Sequence, residues 1–304
     1  MTKNEELANN NDMLKYLNEN NPRKGKSDLK NLLKSQLKKF GKDEILVLIS
    51  VCNQCEKYED VITCFEELYF QYNEVFLQID QLELLEIGFK SLIRNKQKQI
   101  NKLKSIFDYS LKNNEDSEET KGLITGINYK SFKIEQEMKD FCLRIIKLID
   151  SYIIKNISDP MNGINREIES FLYKIKGDSD KYLILIEKND EVKKNYLKEA
   201  KNQYKNSMYV CNKYLYVANK IHLSCVLSYL KFLIFFDNGV KEAKTLINDY
   251  FKKEEIQNIL KNPDKPEYKV IQDITELKKY IEKNDNGNIE SNENENEYEN
   301  EDES

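Results

Sequence analysis

Lys90, Arg94, Gln97, Asn101 and Lys104 recur at intervals of three and four residues. On an α-helix this spacing puts all five on one face, and a stripe of cations and amides can hold an anion. The plainer alternative is a solvated charged face. Other constellations offer less. The single histidine, His222, lies three residues before Cys225, but no third group is present to orient a Cys/His nucleophile, so His222 is expected to cap or pack a helix. Cys52-Asn53-Gln54-Cys55 falls inside a predicted helix, away from the N-terminus that would activate a thiol. These two cysteines read as small packing residues. Without a second CxxC or clustered histidines, no metal site is expected, and no cofactor.

Gly122-Leu-Ile-Thr-Gly126 matches neither phosphate-binding glycine pattern, and no pair of carboxylates stands out for acid/base work. The expectation is therefore a protein without catalytic activity. With 48 Lys+Arg against 53 Asp+Glu, the net charge of -5 lacks the basic excess of a nucleic-acid binder. Leu230-Lys-Phe-Leu-Ile-Phe-Phe236, the strongest apolar run, is far shorter than the roughly 20 residues of a membrane span. The N-terminal residues lack the apolar run of a signal peptide. A cytoplasmic location with reduced thiols is expected.

The elements that must position the stripe are helices. Only 9 Gly and 4 Pro occur in 304 residues, too few for the turns of an all-β or doubly wound fold. Residues 1–42 form an N-terminal extension, in which Leu29, Leu32, Leu33 and Leu37 outline a short helix with Ser27 as its cap and Gly41 as its stop. Amphipathic periodicity then predicts helices over 44–56, 58–75, 80–110, 125–156, 162–188, 190–219, 222–237, 239–260 and 268–283. Turn clusters interrupt them at residues 159–163, 237–239 and 262–266, and residues 113–119 read as a solvated loop. The helical domain spans 43–285. Residues 286–304 alternate Glu with Asn without Lys or Arg, forming an acidic tail predicted to be disordered.

Several of these segments, taken in order, resemble the 14-3-3 proteins. Glu44-Ile45-Leu46 through Cys55-Glu56-Lys57-Tyr58-Glu59-Asp60-Val61 resembles the first helix and its AERYDDM-type turn; Glu83-Leu-Leu-Glu-Ile-Gly-Phe-Lys90 resembles NLLSVAYK. Lys133-Ile134-Glu135-Gln136-Glu137 through Cys142 resembles KIETELrDIC. The most specific match, Phe171-Leu-Tyr-Lys-Ile-Lys-Gly-Asp178 followed by Lys181-Tyr182-Leu183, resembles FYLKMKGDyyRYLAE. The resemblance implies nine antiparallel helices in a cup-shaped bundle and a homodimer, or a heterodimer with another family member. It also implies phosphoserine or phosphothreonine partners in a groove between the third, fifth, seventh and ninth helices.

Carried over residue by residue, the implied groove retains Lys90, Lys174 and Tyr182, while Gln97 and Lys181 replace the two phosphate-binding arginines. Glutamine brings no charge, and lysine brings a point charge instead of a planar fork. Arg94, one turn from Lys90, stands where the family has glycine and is expected to replace part of the missing guanidinium charge. Ser228 stands where the family holds the peptide backbone with asparagine, followed by Lys231 and Phe235; Ile281 and Asp285 replace asparagine and tryptophan of the ninth helix. The implied dimer interface takes Cys52, Cys55, Lys57, Tyr58, Asp60, Lys133 and Glu137, with Lys57 to Glu137 as a cross-subunit ion pair.

Two functions remain open: an adaptor for phosphorylated segments, or a scaffold of the same fold that binds acidic or helical segments without needing phosphate. The tail is expected to compete for the basic groove. Deleting residues 286–304 should tighten phosphopeptide binding at low ionic strength and change little at high salt, as read by fluorescence polarisation; equal affinities would dismiss that competition.

Overall fold

The computed structural model describes residues 33–72, 78–113, 118–157 and 166–283. Among these residues all regular structure is helical: α1 (Lys42–Gln54), α2 (Tyr58–Gln71), α3 (Ile79–Asn113), α4 (Glu118–Ile157), α5 (Arg166–Ile186), α6 (Asp190–Tyr214), α7 (Lys220–Phe235), α8 (Val240–Phe251), α9 (Glu254–Leu260) and α10 (Tyr268–Lys283). A short helical stretch over 33–37 precedes α1. The expected cap Ser27, the turn at 159–163, most of the 113–119 loop, Asp285 and the acidic tail lie outside the described residues.

The all-α expectation holds, with three differences in detail. The predicted helix over 239–260 is two helices. Lys253 adopts an extended backbone, its ammonium 4.2 Å from the centre of the Tyr250 ring, and the Gln257 amide donates to the Phe251 carbonyl at 2.6 Å. These contacts stabilise a break that has neither Gly nor Pro to announce it. Second, α4 begins at Glu118, inside the expected loop; acidic residues suit a helix N-terminus, so polarity there did not mean an end to helix. Third, Gly41 opens α1 rather than only stopping the stretch before it: its N–H donates to the Glu44 carboxylate at 2.8 Å, and its carbonyl accepts from Ile45 at 3.1 Å.

The chain divides into two compact units, one within residues 1–75 and one within 76–304. In the first, α1 packs on α2 through buried Ile45, Leu48, Ile49, Val61, Ile62, Phe65 and Leu68. The preceding stretch is tied in by buried Leu33 and Leu37, and Lys34 pairs with Glu67 at 3.4 Å. The turn between the helices passes through Glu56 in the left-handed region, φ 56°.

In the second unit α5 is the hub, packing against α3, α4, α6 and α7. It is buried almost all round, although its sequence carries charges on every side, and those charges must therefore find partners inside the unit. α7 follows a side-chain cap, Asn219, which accepts from the backbone of Ile221 at 2.8 Å and donates to Glu167 on α5 at 2.5 Å. The turn at 237–239 ends α7 as expected, with Asn238 at φ 49° and the Gly239 N–H on the Leu233 carbonyl at 2.8 Å.

At Gly177 α5 leaves room for a ring of α6. A Cβ there would lie 2.9 Å from Tyr204 ring atoms. That ring is fully buried, stacked on Tyr229 with centres 5.9 Å apart and packed on Phe232, so it has little room to retreat. Gly177→Ala should cost about 1–3 kcal/mol by overpacking, measured by urea unfolding.

His222 packs inside the fold with 0% of its surface exposed. Its Nδ1 meets the Tyr216 carbonyl at 3.2 Å, and its Nε2 meets the Tyr250 hydroxyl. Burial pushes its pKa from 6.5 down to about 4, helped by the Lys253 charge and opposed by the Tyr216 carbonyl. The unfolded imidazole takes up a proton below about 6.5, whereas the folded one does not until about 4. This contribution is therefore full above pH 6.5 and is lost as the pH falls toward 4. Asp180, raised to about 7 by burial and by Glu199 and Asp150 against the pull of Lys176, acts in the opposite sense, so a comparison of variants isolates the histidine. Between pH 7 and pH 5 the wild type should lose about 2 kcal/mol more than His222→Gln, by urea unfolding at each pH.

Candidate functional site

On α3, Glu86, Lys90 and Arg94 follow at successive four-residue steps, and Gln97 comes three residues later; one face carries them all. On α5, Lys174, Asp178, Lys181 and Tyr182 form a second face by the same rule. The two faces meet. The Lys90 ammonium lies 2.7 Å from Glu86 Oε1 and 3.2 Å from Asp178 Oδ2, and Lys174 pairs with the same Glu86 oxygen. From α6, the Tyr204 hydroxyl donates to Asp178 Oδ1 at 2.7 Å.

Aromatic rings wall this cluster. Phe89 meets Tyr182 edge-on at 5.7 Å. The Lys181 ammonium lies 4.8 Å from the centre of the Tyr182 ring and 5.8 Å from that of Phe236, and Lys174 lies 4.9 Å from that of Phe171. Such placements favour a retained positive charge. Lys174 and Lys181 are 1% and 4% exposed, whereas the Lys90 side chain is 33% exposed, so Lys90 is the cation that a ligand meets first.

The charges hold one another ionised. Burial works to raise the Asp178 pKa, but Lys90, Lys174 and Lys181 outweigh it and keep the carboxyl well below the usual range. Glu86 is lowered likewise, burial being overcome by Lys174 and Lys90. For Lys90, burial alone would lower the value, and Asp178 and Glu86 carry it well above the ordinary one. At neutral pH the cluster is thus a dense set of fixed charges.

Of the residues selected from sequence, Lys90, Lys174, Lys181 and Tyr182 come together at the α3–α5 contact. Arg94 and Gln97 are half-buried further along α3, and Ser228 and Lys231 are half-buried on α7, the helix that packs against α5. Phe235 and Ile281 are buried; Phe235 packs on Tyr280, ring centres 5.6 Å apart. They belong to the α7–α10 core instead of lining a groove. Sequence reasoning missed Glu86 and Tyr204. Glu86 had a signal, since it stands one turn before Lys90 where the NLLSVAYK segment has serine. Tyr204 had none, because only the fold brings α6 against Gly177.

The interface residues are dispersed. Cys55, Lys57 and Lys133 are exposed, Tyr58 and Asp60 half-buried, and Cys52 buried. Glu137 pairs with Lys96 of its own chain, so the expected pair with Lys57 would have to share or displace that lysine. An open depression of about 610 Å³ beside α8, lined by Asn238, Lys241, Glu242 and Asp249 among others, contains none of the selected residues. No group of His, Cys, Asp and Glu among the described residues could hold a metal, and none of the described helices is long and apolar enough to cross a membrane.

The chain is 24% identical to 14-3-3 protein theta of Gallus gallus and of Mus musculus, in each case over 210 residues that cover 69% of this chain and 79% of the relative. Identity and coverage are the same for 14-3-3 protein beta/alpha of Homo sapiens. A family model described as 14-3-3 protein matches residues 48–284, which take in part of the first unit, all the helices of the second and every residue of the α3–α5 cluster. The chain belongs to the 14-3-3 family.

Proposed function

We propose that this protein is a dimeric, non-catalytic adaptor that binds phosphoserine or phosphothreonine segments of partner proteins. The ligand site is built on Lys90, Arg94, Lys174, Lys181 and Tyr182, with Gln97, Ser228 and Lys231 at its margins. One observation carries this reading: three lysines from α3 and α5 converge around a single carboxylate pair in a chain of the 14-3-3 family. A phosphate bears nearly two negative charges and three strong acceptor oxygens, and each ammonium that reaches it forms a charge-assisted hydrogen bond. Loss of the two arginines weakens the clamp without removing its sign. The same reading assigns Cys52, Cys55, Lys57, Tyr58 and Asp60 of the first unit, and Lys133 and Glu137 of the second, to the dimer interface that the family resemblance implies.

The second reading, a scaffold that binds without phosphate, is favoured by a different fact: Lys90 and Lys174 are already paired within the chain. A fluorescent phosphoserine peptide from a degenerate library and its unphosphorylated twin separate the two. Only the phosphorylated peptide should bind, as read by polarisation. Lys181→Gln should weaken that binding about tenfold, the scale of one charge-assisted hydrogen bond. Equal binding of both peptides would favour the scaffold.

A further inference from the structure

The two carboxylates of the cluster do different jobs. Asp178 is anchored on α5 with its second oxygen taken by Tyr204 at 2.7 Å, so it is part of the packing between α5 and α6. Glu86 lies on α3, and a single oxygen of it meets Lys174 and, at 2.7 Å, Lys90. Its side chain is 14% exposed, so it stands at the edge of the cluster. Three lysines set against Glu86 and Asp178 leave one unit of positive charge within the cluster, and Arg94, one turn further along α3, adds a second; a dianion still meets two opposing carboxylates unless one of them gives way. At the position of Glu86, the NLLSVAYK segment that this stretch resembles carries an uncharged serine.

We propose that Glu86 is a resident anion of the ligand site, occupying the positions on Lys90 and Lys174 that a phosphate oxygen would take and thereby setting the affinity and selectivity of the site. The proposal rests on the phosphopeptide reading above and names the residue that limits it. An incoming group with a single negative charge, such as an aspartate or glutamate side chain, exchanges one carboxylate for another and gains little. A phosphate brings more charge and more acceptor oxygens than the group it displaces. Glu86 thus raises the threshold for binding and favours phosphorylated over merely acidic segments. The same carboxylate keeps the ligand-free lysines paired, because Lys174 could not stay charged and buried alone.

The test titrates three versions of one library-derived peptide, bearing phosphoserine, aspartate or serine, into wild-type protein and Glu86→Gln. Glutamine keeps an oxygen within reach of both ammonium groups but removes the charge, and circular dichroism checks the fold; if Glu86→Gln does not fold, Glu86→Ser takes its place. The phosphoserine peptide should bind the variant about tenfold more tightly than the wild type. The aspartate peptide should gain measurable affinity while the serine peptide stays weak. Unchanged or weaker phosphoserine binding by a folded variant, beside phosphate-dependent binding by the wild type, would overturn the role of Glu86 and leave the phosphopeptide reading standing. Phosphate dependence seen only in the variant would uphold Glu86 as the blocking anion while refuting the adaptor reading for the wild type. Failure of both proteins to distinguish phosphoserine from serine would overturn both.

Discussion

Lys174 holds an ammonium group where water does not reach, and the carboxylate of Glu86 makes that position tenable. Removing one member of a buried ion pair costs about 3–5 kcal/mol, because a bare charge is left behind. This fixes more than two side chains. Glu86 belongs to α3 and Lys174 to α5, and Lys90 closes the arrangement by reaching from α3 to Asp178. Asp178 in turn holds Tyr204 of α6, whose ring lies against the bare backbone of Gly177. The relative placement of three helices is thus written into one chain of charged and aromatic contacts.

That network accounts for a helix such as α5 being buried on nearly all sides without being apolar on all sides. Away from the cluster other polar groups of α5 are also used: Lys176 meets Asp150 on α4 at 2.5 Å, and the Ser170 carbonyl accepts from the Ser207 hydroxyl at 2.8 Å. Burial of polar groups with partners costs little stability and specifies one packing among many. The same economy shapes the ligand site. Charges that build the fold are the charges that the proposed function would offer to an anion, so on that reading binding and packing are balanced against each other.

The departures from the family pattern have one physical direction. Where the family pattern has two arginines, this chain has Gln97, which carries no charge, and Lys181, a point charge instead of a planar fork, and Glu86 adds a carboxylate among the cations. Arg94 supplies charge one turn beyond Lys90 but stands only half-buried, where solvent screens it. On the proposed reading, these changes leave a ligand site less positive than the family pattern.

The sequence by itself determined the helical class and most of the helix positions, and it picked out Lys90 and Lys174 of the charged cluster, because apolar spacing and charge type are local properties. It marked the turn at 237–239 through Asn238 and Gly239, but of the two cysteines read as packing residues inside a helix only Cys52 is buried, while Cys55 is exposed just past the end of α1. It anticipated that His222 packs, but it did not reveal the break at Lys252–Lys253, which depends on a cation–π contact and a side-chain hydrogen bond. Nor did it show that Phe235 and Ile281 are core residues, since a helical wheel does not say which face meets a neighbour. Above all, only the tertiary structure decided that Glu86 neutralises Lys90 and Lys174. Ion pairing depends on distance in space, and Glu86 and Lys174 are brought together from 88 residues apart.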